Sequence, residues 1–219
     1  MRKNLALAIL IGLLCIALPV SAAEIFVSNS GDADFTTIQA AVEAASPKDA
    51  IIILPGNYSQ FRVTKPDLTI RAFANNGSVI VDCAGSEGLR LSGGSNENAT
   101  GTILDGLTVV NSKSGVLLGE FGPAPDSIIR NCAFSGITSG VQVKSSNCTF
   151  ENNVFVGSGG TPGRLISVTG VENANIINNM FTNISSTYGH ITLRDTTGNC
   201  NVINNTFNDV TVTNPGYAV

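Results

Sequence analysis

Four late segments repeat one arrangement of apolar and polar positions. They are Ile129-Arg130-Asn131-Cys132-Ala133-Phe134, Phe150-Glu151-Asn152-Asn153-Val154-Phe155, Ile176-Ile177-Asn178-Asn179-Met180-Phe181 and Val202-Ile203-Asn204-Asn205-Thr206-Phe207. Each has an apolar residue two places before an Asn and a Phe three places after it. Between them lie four other strand-like pieces, Val116-Leu117-Leu118, Val141-Gln142-Val143, Ile166-Ser167-Val168 and Ile191-Thr192-Leu193, whose first residues are spaced 25 apart. Short β-branched runs recurring at a fixed period in the twenties, with Asn and Gly between them, predict one coil of a parallel β-helix per repeat. The chain reads as all-β, a solenoid of roughly seven or eight coils. A β-sandwich rich in Asn turns would have no need to keep Asn and Phe in register.

Coils stacked about 4.8 Å apart place equivalent side chains in columns. The column Asn131, Asn152, Asn178 and Asn204 is expected to form an amide ladder, and Phe134, Phe155, Phe181 and Phe207 an inward aromatic stack. Ile103-Leu104-Asp105-Gly106-Leu107 extends the series upstream, and Val79-Ile80-Val81-Asp82 resembles a shorter turn. Cys132 falls in the column of Asn153, Asn179 and Asn205. Cys148 aligns with Ala174 and then Cys200, which sets those two cysteines two layers apart, beyond disulfide reach. Cys83, Cys132, Cys148 and Cys200 therefore read as free, stack-filling thiols. Three disulfide connectivities are the alternative for an exported chain with four cysteines.

The opening residues follow a different grammar. Arg2 and Lys3 precede an apolar run from Leu5 to Leu18, and Pro19-Val20-Ser21-Ala22-Ala23 supplies small residues for cleavage. This predicts a secretory signal peptide over 1–23 and a mature domain over 24–219, secreted or held at the cell surface. Removing the leader leaves 10 basic against 16 acidic residues, a net charge of −6. That balance argues against nucleic acid as a partner. With a single His and no C-x-x-C pair, no metal site and no cofactor are expected.

Asp34-Phe35-Thr36-Thr37-Ile38-Gln39-Ala40-Ala41-Val42-Glu43-Ala44-Ala45 carries a helical stripe of apolar residues. It leads into Asp49-Ala50-Ile51-Ile52-Ile53-Leu54-Pro55-Gly56-Asn57-Tyr58, a buried strand closed by a Pro-Gly turn. This opening resembles that of right-handed parallel β-helix proteins of the pectin-lyase-like superfamily. The resemblance implies a capping α-helix at about 35–45 that plugs the first coil. It also implies either an extracellular enzyme on acidic polysaccharide or a non-catalytic surface protein. The enzymes' acidic motifs are missing: Gly189-His190-Ile191 matches only part of a Gly-His-Gly pattern, and Glu120, Asp126, Glu151, Glu172 and Asp195 share no column. A non-catalytic protein that binds a polysaccharide or another cell-envelope component is therefore expected. A polysaccharide lyase or glycoside hydrolase is the alternative, in which His190, Arg194 and Asp195 are the residues to suspect. A copper- or other metal-handling periplasmic protein, which some β-helix chains resemble, is a third reading, disfavoured because His190 is the only His and Met180 the only Met of the mature chain.

Strand alternation turns Gln142, Lys144, Ser167, Thr169, His190, Thr192 and Arg194 outward, with Arg164 and Tyr188 beside them. This locally basic strip suits sugar hydroxyls or uronate carboxylates, and its carbohydrate-binding candidates are Gln142, Lys144, Arg164, Tyr188, His190 and Arg194. Of six glycosylation sequons, those at Asn76 and Asn98 lie in Gly- and Asn-rich loops, whereas Asn204 is expected inside the ladder. Residues 213–219 are too short and mixed for a capping helix, so self-association or contact with other surface proteins through the C-terminal end is expected.

Overall fold

The structure is a computed structural model that describes residues 22–74, 79–92, 94–137, 140–157, 164–187 and 189–212. Residues 1–21 of the expected leader, Asn76, Tyr188 and residues 213–219 lie outside the described residues. Three parallel sheets form the walls of a single β-helix of about seven coils, with eight strands in the long sheet, seven in the lateral sheet and six in the short sheet. The long sheet runs from Glu24–Val27 to Asn201–Ile203, and the lateral sheet from Gly56–Ser59 to Thr206–Val212. Arg62–Val63, Leu89–Leu91, Ser114–Leu118, Gly140–Val143, Ile166–Thr169 and Ile191–Arg194 build the short sheet in that order.

The repeats seen in the sequence are coils in register. Val141 pairs with Ile166 and Ile166 with Ile191 on the short sheet, while Ile103 pairs with Ile128 on the long sheet. Val79–Asp82 belongs to the lateral sheet, between Gly56–Ser59 and Thr108–Val110. Inside, the rings of Phe134, Phe155, Phe181 and Phe207 stack with centroids 5.0, 4.9 and 4.8 Å apart. Tyr58, Val81 and Val109 continue that column toward the N-terminus. Each fully buried aromatic stabilises the tube by roughly 1.5–3 kcal/mol relative to an exposed one.

The cap helix is shorter than its apolar stripe, Ile38–Ala44. Phe35 bridges to Val27 as a strand residue, and the Thr37 side chain accepts from the Ala40 N–H at 3.2 Å, which starts the helix. Ile38, Ala41 and Val42 face the first coil and are buried there. Asp49, itself buried, accepts from the backbone N–H groups of Ala23 and Ser46 at 2.8 Å each, tying the first strand to the helix exit.

The amide ladder lies one residue away from the expected column. Asn131, Asn152, Asn178 and Asn204 are exposed, with φ of 53, 55, 56 and 53°. They are the left-handed corner residues, a conformation that Asn tolerates better than most side chains. The ladder belongs to Asn153, Asn179 and Asn205: Nδ2 of Asn153 donates to Oδ1 of Asn179, and Nδ2 of Asn179 to Oδ1 of Asn205, each at 3.0 Å. Cys132 tops this column, its backbone N–H donating to Oδ1 of Asn153 at 3.0 Å. The cysteines are free thiols, with Cys83, Cys132 and Cys148 buried and Cys200 half-buried.

Candidate functional site

Between the inward positions of the short sheet runs one column of register partners, interrupted at the surface by the buried Leu117. Register pairing joins Arg62 to Arg90, Arg90 to Leu117, Leu117 to Gln142, Gln142 to Ser167 and Ser167 to Thr192. The middle and late part of this column is the strip that alternation predicts. Gln142, Ser167 and Thr192 sit directly under one another, half-buried, on strands that hydrogen bonding holds rigid. Arg194 pairs in register with Thr169 on the same sheet.

Several members of the strip have other attachments. Nζ of Lys144 lies 2.6 Å from Oε2 of Glu120, which offsets its charge. Nε of Arg194 lies 3.3 Å from Oδ2 of Asp195, and both groups are exposed. Arg164 is half-buried and has protein partners. His190 departs from the outward face expected of it. It precedes its strand, its ring lies tilted 5.6 Å from the Phe207 ring, and Nδ1 is 3.2 Å from Oγ of Ser186. Burial there holds its pKa below the usual histidine value, favouring the neutral ring. His190 thus belongs to the packing of the late coils, where it adjoins the aromatic stack.

Charges elsewhere are mostly matched. On the long sheet Arg71, Asp105, Arg130 and Glu151 are successive register partners, so sign alternates from coil to coil. Within this series Nε of Arg130 lies 2.8 Å from Oδ2 of Asp105. Asp126, Asn147 and Asn173 form an outer hydrogen-bonded column at a second left-handed corner. These carboxylates face different sheets and corners, so they do not converge on one groove.

The N-terminal end of the short-sheet column holds the residues that sequence reasoning passed over. Arg62 and Arg90 border a recess of about 250 Å³ together with Gln39, Gln60, Phe61 and Gly88. Their signal was the alternation in Leu89-Arg90-Leu91, but Arg62 and Arg90 lie 28 residues apart, outside the later period. Asn98 is exposed, its Oδ1 accepting from the Thr100 N–H at 2.8 Å. Asn204, a corner residue, is exposed as well and lies outside the ladder.

Residues 44–217 match the family described as periplasmic copper-binding protein (NosD). No curated protein matches the sequence. Among solved structures the chain is similar to a pectin methylesterase mutant in complex with a hexasaccharide, at TM-score 0.44 and 14% identity, with 76% of this chain covering 80% of that one. It is similar also to a PL6 alginate lyase in complex with a trisaccharide, at TM-score 0.43 and 13% identity; 87% of this chain spans 60% of the lyase. The pectin methylesterase from Aspergillus niger has TM-score 0.37 and 12% identity, with 93% and 91% of the two chains covered. Likenesses this distant bear on neither substrate nor activity.

Copper in the family's description calls for converging soft donors. Among the described residues no three His, Cys, Asp or Glu side chains come close enough together to hold a metal. Burial pushes the thiols of Cys132 and Cys148 up to about 12, far from the thiolate a metal needs. His190 is turned toward Ser186 and Phe207. The described residues do not fit a copper ion.

Proposed function

The chain belongs to the NosD periplasmic family, and we propose that it is a non-catalytic exported β-helix whose short sheet binds carbohydrate or another cell-envelope component. In this reading residues 1–23 are a cleaved leader and the mature chain works outside the cytoplasmic membrane. Among the described residues, no helix is long and apolar enough to cross a membrane.

The observation that carries the reading is the Gln142, Ser167 and Thr192 column. Amide and hydroxyl groups repeat at the coil spacing of about 4.8 Å on a backbone held by strand pairing. A linear saccharide offers hydroxyls along its length to such a face, and little ordering entropy is lost by the protein on binding. The scattered carboxylates support a binding role over hydrolysis or elimination, both of which need acid and base groups at one bond.

A glycan array probed with the mature chain tests this. Binding to a defined set of saccharides is expected, weakened at least tenfold in a Gln142→Ala, Thr192→Ala double variant. Failure to bind any glycan overturns the reading. Release of unsaturated ends or reducing sugar from acidic polysaccharide moves the chain to the lyase or hydrolase alternative, with His190, Arg194 and Asp195 the first residues to substitute. Asn98 is proposed as a glycan acceptor where the host glycosylates exported proteins.

A second observation favours contact between copies. In the last described coil Leu193, Val202, Ile203 and Phe207 are 39, 45, 46 and 41% exposed, although their equivalents one coil earlier are buried or half-buried. Apolar side chains exposed together on one coil favour pairing with a second chain or a neighbouring surface protein.

A further inference from the structure

We infer that the recess between Arg62 and Arg90 is a binding site for a sugar acid, with the carboxylate on Arg90 and the ring against Gln39, Gln60 and Phe61. The inference rests on the carbohydrate-binding reading of the short sheet and adds to it a charged end that selects among sugars.

Two arginines as register partners on adjacent parallel strands are an unfavourable arrangement unless each charge is answered. Arg62 is answered: its Nη2 lies 3.5 Å from Oε1 of Glu97. Arg71, Arg130 and Arg194 likewise pair with carboxylates. Arg90 does not, among the described residues. Its guanidinium rests on the ring of Phe121, with Cζ 5.1 Å from the centroid. Stacking on an aromatic face holds the plane of a guanidinium and leaves its N–H edge for a planar oxyanion. The fork geometry of that edge matches a carboxylate bidentately.

The walls of the recess suit the rest of a sugar. Phe61 lines the recess and is anchored in the core, 3% exposed. Gln39 is fixed, its Oε1 accepting from the Arg62 N–H at 2.9 Å and its Nε2 donating to Glu43 at 3.1 Å. The exposed amide of Gln60 has no protein partner among the described residues and is available to hydroxyls. Gly88 makes the notch beside Arg90. Its φ is +88° and a Cβ there would meet the Ser114 carbonyl oxygen at 1.6 Å, so only glycine fits at this edge of the recess. At about 250 Å³ the recess falls below the roughly 300 Å³ at which pockets for drug-sized ligands begin. It has room for one sugar residue, a branch or an end of a longer chain that follows the sheet.

Chemical-shift titration of the mature protein with glucuronate, its methyl ester and glucose 6-sulfate tests the site. Glucuronate is expected to shift the amides of residues 60–62 and 88–90, and to bind at least tenfold more tightly than the uncharged ester. Arg90→Gln should lose that tenfold preference, Arg90→Lys should recover only part of it, and Phe121→Ala should weaken it, with melting temperatures within a few degrees of the parent. Equal binding of acid and ester, or undiminished glucuronate binding by Arg90→Gln, overturns the inference while leaving polysaccharide binding on the array intact. Tighter binding of the sulfate ester overturns the assignment to a carboxylate. Absence of binding both here and on the array removes this site and the broader reading together.

Discussion

Nδ2 of Asn153 donates to Oδ1 of Asn179 at 3.0 Å, and the same oxygen accepts the backbone N–H of Asn153 at 3.0 Å. The second N–H direction of each amide is used as well: Asn153 reaches the Ile129 carbonyl at 2.9 Å and Asn179 the Phe150 carbonyl at 3.0 Å. Each buried Asn therefore binds the coil before it and the coil after it. The neighbours one place earlier, Asn152 and Asn178, turn the chain and remain in water.

The two columns should respond differently to substitution. Asn179→Leu removes one ladder bond from each of Asn153 and Asn205 and takes the side-chain partner from the Asn153 N–H and the Phe150 carbonyl. It is expected to cost about 1–3 kcal/mol for each buried group left unsatisfied. Asn178→Leu meets only the left-handed backbone penalty of about 1–2 kcal/mol, and Asn178→Gly should be close to neutral. Urea denaturation of the three variants checks the order. Equal losses at 178 and 179 would contradict the assignment of turn and ladder.

The thiols should be inert in the folded protein. Burial pushes Cys83 up to about 11 and Cys132 and Cys148 up to about 12, so thiolate is scarce at neutral pH. Mass spectrometry after alkylation at pH 8 is expected to show Cys200, which is half-buried, modified before the other three. Because the folded protein favours the neutral thiol, stability held below pH 9, the ordinary thiol value, is lost as pH rises toward 12. Alkaline unfolding should begin within that window.

His190 should titrate below the ordinary histidine value of 6.5, since burial beside Phe207 disfavours its cation. A folded-state pKa that is lowered contributes stability above the unfolded value and loses it as pH falls through the folded one. The single His makes the measurement unambiguous. Its ring proton resonances should move with a midpoint under 6.5, and His190→Phe should reduce the loss of stability in mild acid. A midpoint above 6.5 would place the ring in water and sink this reading.

Phe207 is the last ring of the aromatic stack among the described residues, with one face on Phe181 and 41% of its surface exposed. Light scattering on the mature chain is expected to show concentration-dependent association that Phe207→Lys reduces. A monomer at all concentrations, unaltered by the substitution, would remove the proposed end contact.

The late coils were legible because their strands carry identical spacing on the short sheet and a Phe at every lateral strand. Pairs of adjacent Asn residues hid the ladder's register: in Asn152-Asn153 and Asn178-Asn179 either member satisfies a pattern, and backbone handedness decides which one turns. The early coils vary in length. Ile51 pairs with Ile70 and Ile70 with Leu104, steps of 19 and then 34 residues. Arg62 and Arg90 therefore meet through a register that no fixed period reveals. Phe121, the residue that braces Arg90, lies in a connecting bend outside any strand.

The ladder has a consequence for how such a chain can grow. Asn153, Asn179 and Asn205 make the same bonds at intervals of 26 residues. A duplicated block of 26 would insert a coil whose amides find the partners already waiting above and below. A single residue added inside a strand would turn that strand's side chains to the opposite face, whereas the early steps of 19 and 34 residues show that connecting bends absorb changes of length. Length is thus free to change by whole coils, each lengthening the protein by about 4.8 Å. The spacing of sites along its outer wall is then adjustable in fixed increments, as on a ruler.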